Sequence, residues 1–383
     1  MHKFLGTTLL LVLLSTGLTA RDSHISVAGG GGAGYMLNGL DIYTNLLNTK
    51  IYGHGFLELG YQTRADDNEF YSWAFNHPEM GFGLSYTGTG ALECKNGSRL
   101  GDLYTVYGFF RCDIVKGNVF SFGPYLNFGL TYTPVKYDYY TNPYNTYVGS
   151  NLVILSALGL DGRFHLTRHL DIGIKAMLAH RSNGMLKVPN HGLNKFESGI
   201  YLRYSIAETP TGKRIGRPAV PEFKNWNWDV YCSGGVHSCD AERVIMDPPD
   251  CKSWLRMNVG GNVYYRYHPI FSTGAGVDLF YTGNAPRLEE CELVRSGQKV
   301  SLSPLYCGIY LMQNFHYRNV MVTMGFGAYL YKNLGPEDSK WNYQRISARF
   351  YIPSAGDIFV GFGMRAHSFD RSDTLEFIFG KKF

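Results

Sequence analysis

Beyond its first twenty residues, the 383-residue chain holds no run of about 18 uninterrupted apolar residues, so it encodes no transmembrane helix there. Helical patterning is scarce as well, which leaves strands to build the fold. No basic stripe accompanies the net charge of +5, and nucleic acid is not an expected partner. Such a mild excess suits an anionic lipid headgroup but is more often a solvated surface. The seven cysteines lack the spacing of a zinc site. Neither a metal nor any other cofactor is expected. Export permits disulfides, and Cys232, Cys239 and Cys251 sit close enough around one loop for a pair to form there.

What is present begins with an address. Lys3 supplies a positive start, and Leu9 to Leu14 form an apolar run too short to span a bilayer. Leu18-Thr19-Ala20 is an acceptable cleavage site. Residues 1–20 therefore read as a signal peptide. The chain is rich in the residues that barrels use, with 29 Tyr, 24 Phe and 46 Gly. Glycine and aromatics alternating in short strands suit a girdled membrane barrel.

Alternation with a period of two dominates. Leu170, Ile172, Ile174, Ala176 and Leu178 share one face, while Asp171, Gly173 and Lys175 share the other. Near the C-terminus Ile358, Val360, Phe362 and Met364 face one way, and Gly361, Gly363 and Arg365, with Asp357 before them, the other. Leu375, Phe377, Phe379 and Phe383 line one side of the last strand. In a soluble sandwich such an apolar face is the core; in a membrane barrel it faces lipid. The address and the scarcity of helix favour the barrel. Short turns at 115–118, 166–168, 268–269 and 353–356 alternate with long loops at 88–101, 134–149 and 283–303. The expectation is an all-β, antiparallel transmembrane barrel of about sixteen strands.

The chain also echoes itself. Arg163-Phe164 precedes Asp171-Ile172 by eight positions, and His180 follows; Arg349-Phe350 precedes Asp357-Ile358 by the same eight, and His367 follows. Gly129 to Tyr132 resembles Gly327 to Tyr331. A polar, proline-bearing stretch from Glu208 to Lys224 separates the copies and reads as a linker. Residues 21–207 and 225–383 are then two repeated halves, forming one large barrel or two of about eight strands.

The first half carries the chemistry. His180-Arg181-Ser182-Asn183-Gly184 is followed by Pro189-Asn190-His191-Gly192-Leu193-Asn194. Residues two apart in a strand share a face, so His180 and Ser182 project side by side. A histidine beside a serine is the minimum for an activated hydroxyl nucleophile. Both continue the apolar stripe of Leu170 to Leu178, and Asn194 begins the apolar face of the next strand. All three point outward, whereas Glu197 points into the lumen. Asn194 is thus the orienter of His180, and its amide oxygen can accept the imidazole Nδ1–H. The backbone N–H groups of Asn183 and Gly184, or the Asn183 amide, are the candidate oxyanion donors. A strand starting near Arg168 needs about 9–11 residues to cross, which brings Ser182 to the outer interface.

His180-x-Ser182-Asn183, with Lys187-x-Pro189-Asn190-x-Gly192 after it, resembles the lipid A 3-O-deacylase family of outer-membrane barrels over residues 25 to 205. The longer chain resembles the branch often labelled acyloxyacyl hydrolase. The resemblance implies a serine esterase that removes an ester-linked acyl chain from lipid A, the membrane-embedded part of lipopolysaccharide. It maps a serine and a histidine onto Ser182 and His180, and a glutamate onto Asn194, where this chain departs from the family. It also implies the outer membrane of a Gram-negative bacterium. Outer membrane phospholipase A shares His-x-Ser-Asn-Gly and an Asn a dozen residues on, but its calcium-binding Ser/Arg segment has no counterpart in 185–193. The remaining alternative is a non-enzymatic, porin-like or structural barrel with a wide lumen lined by Asp171, Lys175 and Arg365.

Among the weaker signals, Gly29 to Gly34 falls in a first strand, and a phosphate loop is not expected there. His165 and His169 flank a turn and read as exposed turn histidines. Phe369 stands where a serine would follow His367, so the second half reads as catalytically silent.

Overall fold

The computed structural model describes residues 23–37, 47–63, 69–206, 216–239, 241, 245–246, 251–335, 338–368 and 371–383. The expected signal peptide, much of the linker and Phe369 lie outside the described residues.

The strand from Leu170 to Ser182 shows why the chain folds as it does. Ile174 and Leu178 are 57% and 58% exposed, while Asp171 and Lys175 on the other face are almost wholly buried. The apolar side faces out and the charged side faces in. That is inverted with respect to a soluble sandwich, and it is the pattern of a barrel wall in lipid. Among the described residues no helix is long and apolar enough to cross a membrane.

Two closed antiparallel barrels result. The first is built from β1 (Ser23–Met36), β2 (Ile51–Thr63), β3 (Glu79–Thr87), β4 (Leu103–Arg111), β6 (Phe120–Tyr132), β7 (Leu152–His165), β8 (Leu170–Ser182) and β9 (Leu193–Ser205). It closes through the pairing of β1 with β9. A two-residue strand, β5 (Val115–Lys116), extends the turn between β4 and β6. The second barrel runs β10 (Trp226–Ser238), β11 (Ser253–Arg266), β12 (Phe271–Thr282), β13 (Leu305–Tyr317), β14 (Val320–Tyr331), β15 (Asn342–Ile352), β16 (Ile358–His367) and β17 (Arg371–Lys382), closing β10 on β17. Of the two arrangements the sequence allows, the chain adopts two barrels of eight. The echoed segments fall on matching strands. Arg163 and Arg349 lie on the sixth strand of their barrels, and Gly129 and Gly327 on the fifth.

One long loop holds more order than its sequence signals. Between β12 and β13 runs an α-helix from Ala285 to Ser296, with Pro286 in its first turn and Gly297 ending it in the left-handed conformation. Ala285 and Leu288 pin it to the apolar cluster at the barrel end. A shorter helix, α1 (Phe70–Ala74), sits in the β2–β3 connection and is capped by Glu69.

Eight strands leave an interior only wide enough for side chains. In the first barrel that interior is a charge network. Lys175 Nζ lies 2.6 Å from Glu58, Arg111 bridges Glu58 and Glu79, and Arg203 meets Asp171 at 2.8 Å. In the second, Arg365 meets Asp373 at 2.6 Å and Arg349 meets Asp229 at 3.1 Å. The wide lumen of the porin-like alternative is therefore corrected. Asp171, Lys175 and Arg365 fill their interiors with paired charge instead of lining a pore.

The barrels touch side by side. At the short-turn end the Tyr71 hydroxyl of α1 reaches Pro269 O at 3.3 Å, Arg266 donates to Tyr71, and Arg318 pairs with Glu69 at 3.2 Å. Mid-wall, the rings of Phe128 and Phe362 stack with centroids 4.7 Å apart. Further contacts join the long-loop ends.

Removing one member of a buried charge network leaves its partners uncompensated, at a cost of about 3–5 kcal/mol. Glu58→Ala should destabilise the first barrel by that amount, because Lys175 and Arg111 lose their shared carboxylate. A denaturant titration in detergent checks this; an unchanged midpoint would show that the network carries no stability.

Candidate active site

β8 delivers His180 and Ser182 to the outer face at the long-loop end, and β9 brings Asn194 directly opposite His180 in register. The His180 ring Nδ1 lies 2.7 Å from Asn194 Oδ1. With the amide oxygen as acceptor, Nδ1 carries the proton and Nε2 keeps a lone pair. Both residues are half-buried. Ser182 is two residues from His180 on the same side, but no hydrogen bond joins the two in this structure. Catalytic hydrogen bonds are often long before substrate binds and tighten in the complex. Ser182 is only 6% exposed, although it continues a stripe whose Leu178 is 58% exposed. The serine is therefore covered, not bare against lipid.

Glu197 sits on the opposite face of β9, inside the barrel. Arg181 lies 3.3 Å away, Lys195 3.1 Å and the Tyr52 hydroxyl 3.2 Å. It is a buried ion-pair member, separated from His180 by the barrel wall.

The loop from Asn183 to Gly192 folds back over the pair. Asn183 is wholly buried, and each of its donors is engaged. Its backbone N–H donates to Asn190 Oδ1 at 2.9 Å; its amide donates to Lys187 O at 2.8 Å and to Ser150 Oγ at 3.1 Å. Asn183 thus organises the loop. Of the three candidate oxyanion donors, only the Gly184 N–H donates to no group among the described residues. Gly192 N–H is anchored on Tyr147 O at 3.0 Å. A Cβ on Gly192 would lie 2.7 Å from His180 Cε1, and its φ of +74° is in the left-handed region. Only glycine allows so close a pass over the imidazole. Asn190 and Gly192 belong to the Pro-Asn-x-Gly segment visible in the sequence, but their duties as acceptor and spacer depend on the loop's fold.

The reading of His165 as an exposed turn histidine is corrected. Its Nε2 lies 2.9 Å from Ser121 Oγ and its Nδ1 2.7 Å from Asp171 Oδ1. This is a second serine–histidine–acid arrangement, missed because Ser121 is 44 residues away. Ser121 is 1% exposed and faces the packed interior, so an ester cannot reach it. In the second barrel Ser272 and His316 form the same pair at 2.8 Å, also 44 residues apart. Both pairs tie neighbouring strands together at the short-turn end. His169 is half-buried, with Nδ1 2.9 Å from Ser205 O.

His367, the echo of His180, points inward and meets the Tyr329 hydroxyl at 2.7 Å. Beside it, a cavity of about 390 Å³ at the long-loop end of the second barrel is lined by Tyr329, Lys332, Asp338 and Trp341. Burial pushes the Lys332 ammonium down to about 8, against the pull of Asp338 at 2.6 Å. None of these residues touches Ser182.

Fold and site together define a β-barrel membrane protein with a serine–histidine pair on its outer wall. The chain matches the family described as Lipid A 3-O-deacylase (PagL) over residues 57–205 and the Acyloxyacyl hydrolase, C-terminal domain, over residues 226–383. It belongs to the PagL lipid A 3-O-deacylase family, a family of ester hydrolases. No curated protein matches the chain. Solved structures with some likeness include the FrpB iron transporter from Neisseria meningitidis, at 9% identity over 96% of this chain and 62% of that one, with a TM-score of 0.25. A mutant Rh. blastica porin gives 9% identity over 94% of this chain and 100% of that one, with a TM-score of 0.17.

Gly192→Val tests the close pass. A left-handed conformation costs a branched residue about 1–2 kcal/mol, and the added carbons push on His180. Ester turnover should fall by at least about tenfold, which corresponds to about 1.4 kcal/mol of barrier, while the barrel still folds. Wild-type turnover would mean that the loop does not set the position of His180.

Proposed function

We infer that the chain removes an ester-linked acyl chain from lipid A in the outer leaflet of a Gram-negative outer membrane. Ser182 is the nucleophile, His180 its general base, and Asn194 the residue that orients His180. One observation carries this reading: the 2.7 Å contact between His180 and Asn194 beside a serine on the lipid-facing wall. Family membership supports the ester chemistry and the lipid A substrate.

The steps follow from the tautomer. Asn194 holds the proton on Nδ1, so Nε2 accepts the Ser182 hydroxyl proton as Oγ attacks the acyl carbonyl. Negative charge develops on the carbonyl oxygen, and the Gly184 N–H is the donor left to meet it. The C–O bond to the sugar breaks, and His180 returns the proton to the departing alcohol. Water, deprotonated by the same imidazole, then releases the fatty acid from Ser182. A neutral amide orients the ring but adds no negative charge to stabilise the imidazolium, as a carboxylate would.

Ser182→Ala should lower turnover by more than about a thousandfold, since losing a triad nucleophile leaves only binding and oxyanion effects. The barrel should still fold and resist heat. Mass spectrometry of lipid A from cells carrying either form reads the result; continued loss of an acyl chain with the Ala form rules out Ser182.

The third member separates by its readout. Asn194→Ala should lower kcat by about a hundredfold, the scale of a positioned base, with little change in unfolding. Glu197→Gln should do the reverse. It weakens the pairing with Arg181 and Lys195 and costs stability, yet leaves the turnover of folded protein within about twofold. If Glu197→Gln abolishes turnover and Asn194→Ala does not, the acid is Glu197.

A further inference from the structure

Ser182 lies on a lipid-facing wall but is covered, and part of its surroundings belongs to the other barrel. The loop after it is fastened there at several points. Ser238 N–H donates to Met185 O at 2.7 Å, Ser253 Oγ to Leu186 O at 2.6 Å, and Lys187 Nζ to Cys251 O at 3.2 Å. Asn190 Nδ2 reaches Ser372 Oγ at 3.4 Å. Gly184 packs so closely on Leu375 that a Cβ there would overlap it.

Two contacts bracket the serine. One is Gly184 against Leu375, just past the end of β8. The other is Phe128 stacked on Phe362. Phe128 pairs with Ser156, and Ser156 with His180, so the stack and the histidine share one row across three strands. Phe362 and Leu375 lie on the adjacent strands β16 and β17, where Phe362 pairs with Phe377 and Met364 with Leu375. The outer face of β16–β17 therefore stands opposite the outer face of β6–β8, with Ile154 of β7, the partner of Ser182, between the brackets and Leu158, the partner of Leu178, one row past the stack. Leu158 remains 59% exposed and Phe377 74% exposed. The seam between the barrels is thus apolar and opens to lipid at the stack, with the serine at its head.

We propose that this inter-barrel seam is the binding site for the fatty-acyl chain that is cleaved, and that Phe362 of the second barrel, stacked on Phe128, limits the chain length accepted. The proposal rests on Ser182 as the nucleophile. The second barrel, silent in the chemistry, becomes a specificity element. Moving a chain from bilayer to seam exchanges hydrocarbon for hydrocarbon, so no hydrophobic gain drives it. Discrimination comes from shape: a chain that fits keeps its packing contacts, and one that overruns the stack must displace two rings.

The test uses the full-length protein in phospholipid vesicles with p-nitrophenyl esters of medium and long saturated acyl chains. Phe362→Ala opens the stack and should raise the long-to-medium ratio of kcat/KM by at least about tenfold, the lower end of what a hydrophobic pocket achieves per methylene. Phe362→Trp narrows it and should shift the ratio the other way. Phe128→Ala, on the opposite wall, should reproduce the first result, and serves if the Phe362 variants do not fold. General damage to the barrels would lower both rates together and leave the ratio unmoved. An unmoved ratio in the folded variants overturns the proposal. Hydrolysis that survives Ser182→Ala would instead show that the nucleophile is misassigned, a separate failure.

Discussion

The structure depends on one constraint: a strand in lipid must have its backbone groups paired on both sides. Closure satisfies it, with β9 returning to β1 and β17 to β10. Closure at eight strands then fixes what each face can be. The inside is too narrow for a water column, so long side chains fill it. Arg111, Arg163, Arg203, Arg345, Arg349 and Arg365 are each nearly inaccessible to solvent. Such charges are tolerable only with partners, and Glu58, Glu79, Asp161 and Asp229 supply them. A filled interior offers no room for a lipid substrate. Any site for one has to be on the outside.

A site on the outer wall of a barrel lacks the enclosure that a soluble hydrolase obtains from its own core. Here enclosure is assembled from three sources. The Asn183–Gly192 loop folds over His180. The loop between β6 and β7 holds it through Tyr147 O and Ser150 Oγ. The second barrel fastens its far side through Ser238, Ser253 and Ser372. The contrast with Ser121–His165–Asp171 is instructive. That set has good triad distances but lies in the packed interior, where geometry without access does nothing. His180 and Ser182 lie instead on the outer wall, beside the seam with the second barrel.

Much of this was legible in the sequence. The alternation at Leu170–Leu178 states which side of β8 is apolar, and the two-residue spacing places His180 and Ser182 together. The same periodicity puts Asn194 out and Glu197 in, and the structure has them so. Period two is a property of the extended backbone itself, so any chain that makes these strands must show these faces. The echo of Arg163-Phe164 at Arg349-Phe350 likewise marks the sixth strand of each barrel.

Other features depend on which strands become neighbours, and local pattern carries no such information. Alternation alone fits one barrel of sixteen strands or two of eight; only the pairing of β1 with β9 decides between them. His165 reads as a turn residue until β6 brings Ser121 beside it. Asn183 looks like an oxyanion donor until Asn190, Lys187 and Ser150 occupy its hydrogen bonds. The cover over Ser182 requires two barrels packed side by side, with Leu375 reaching Gly184 from 191 positions away in the chain. The sequence by itself determined the face each residue occupies, because backbone geometry is local. The tertiary structure alone decided what each face meets, because that depends on how strands close and how barrels pack.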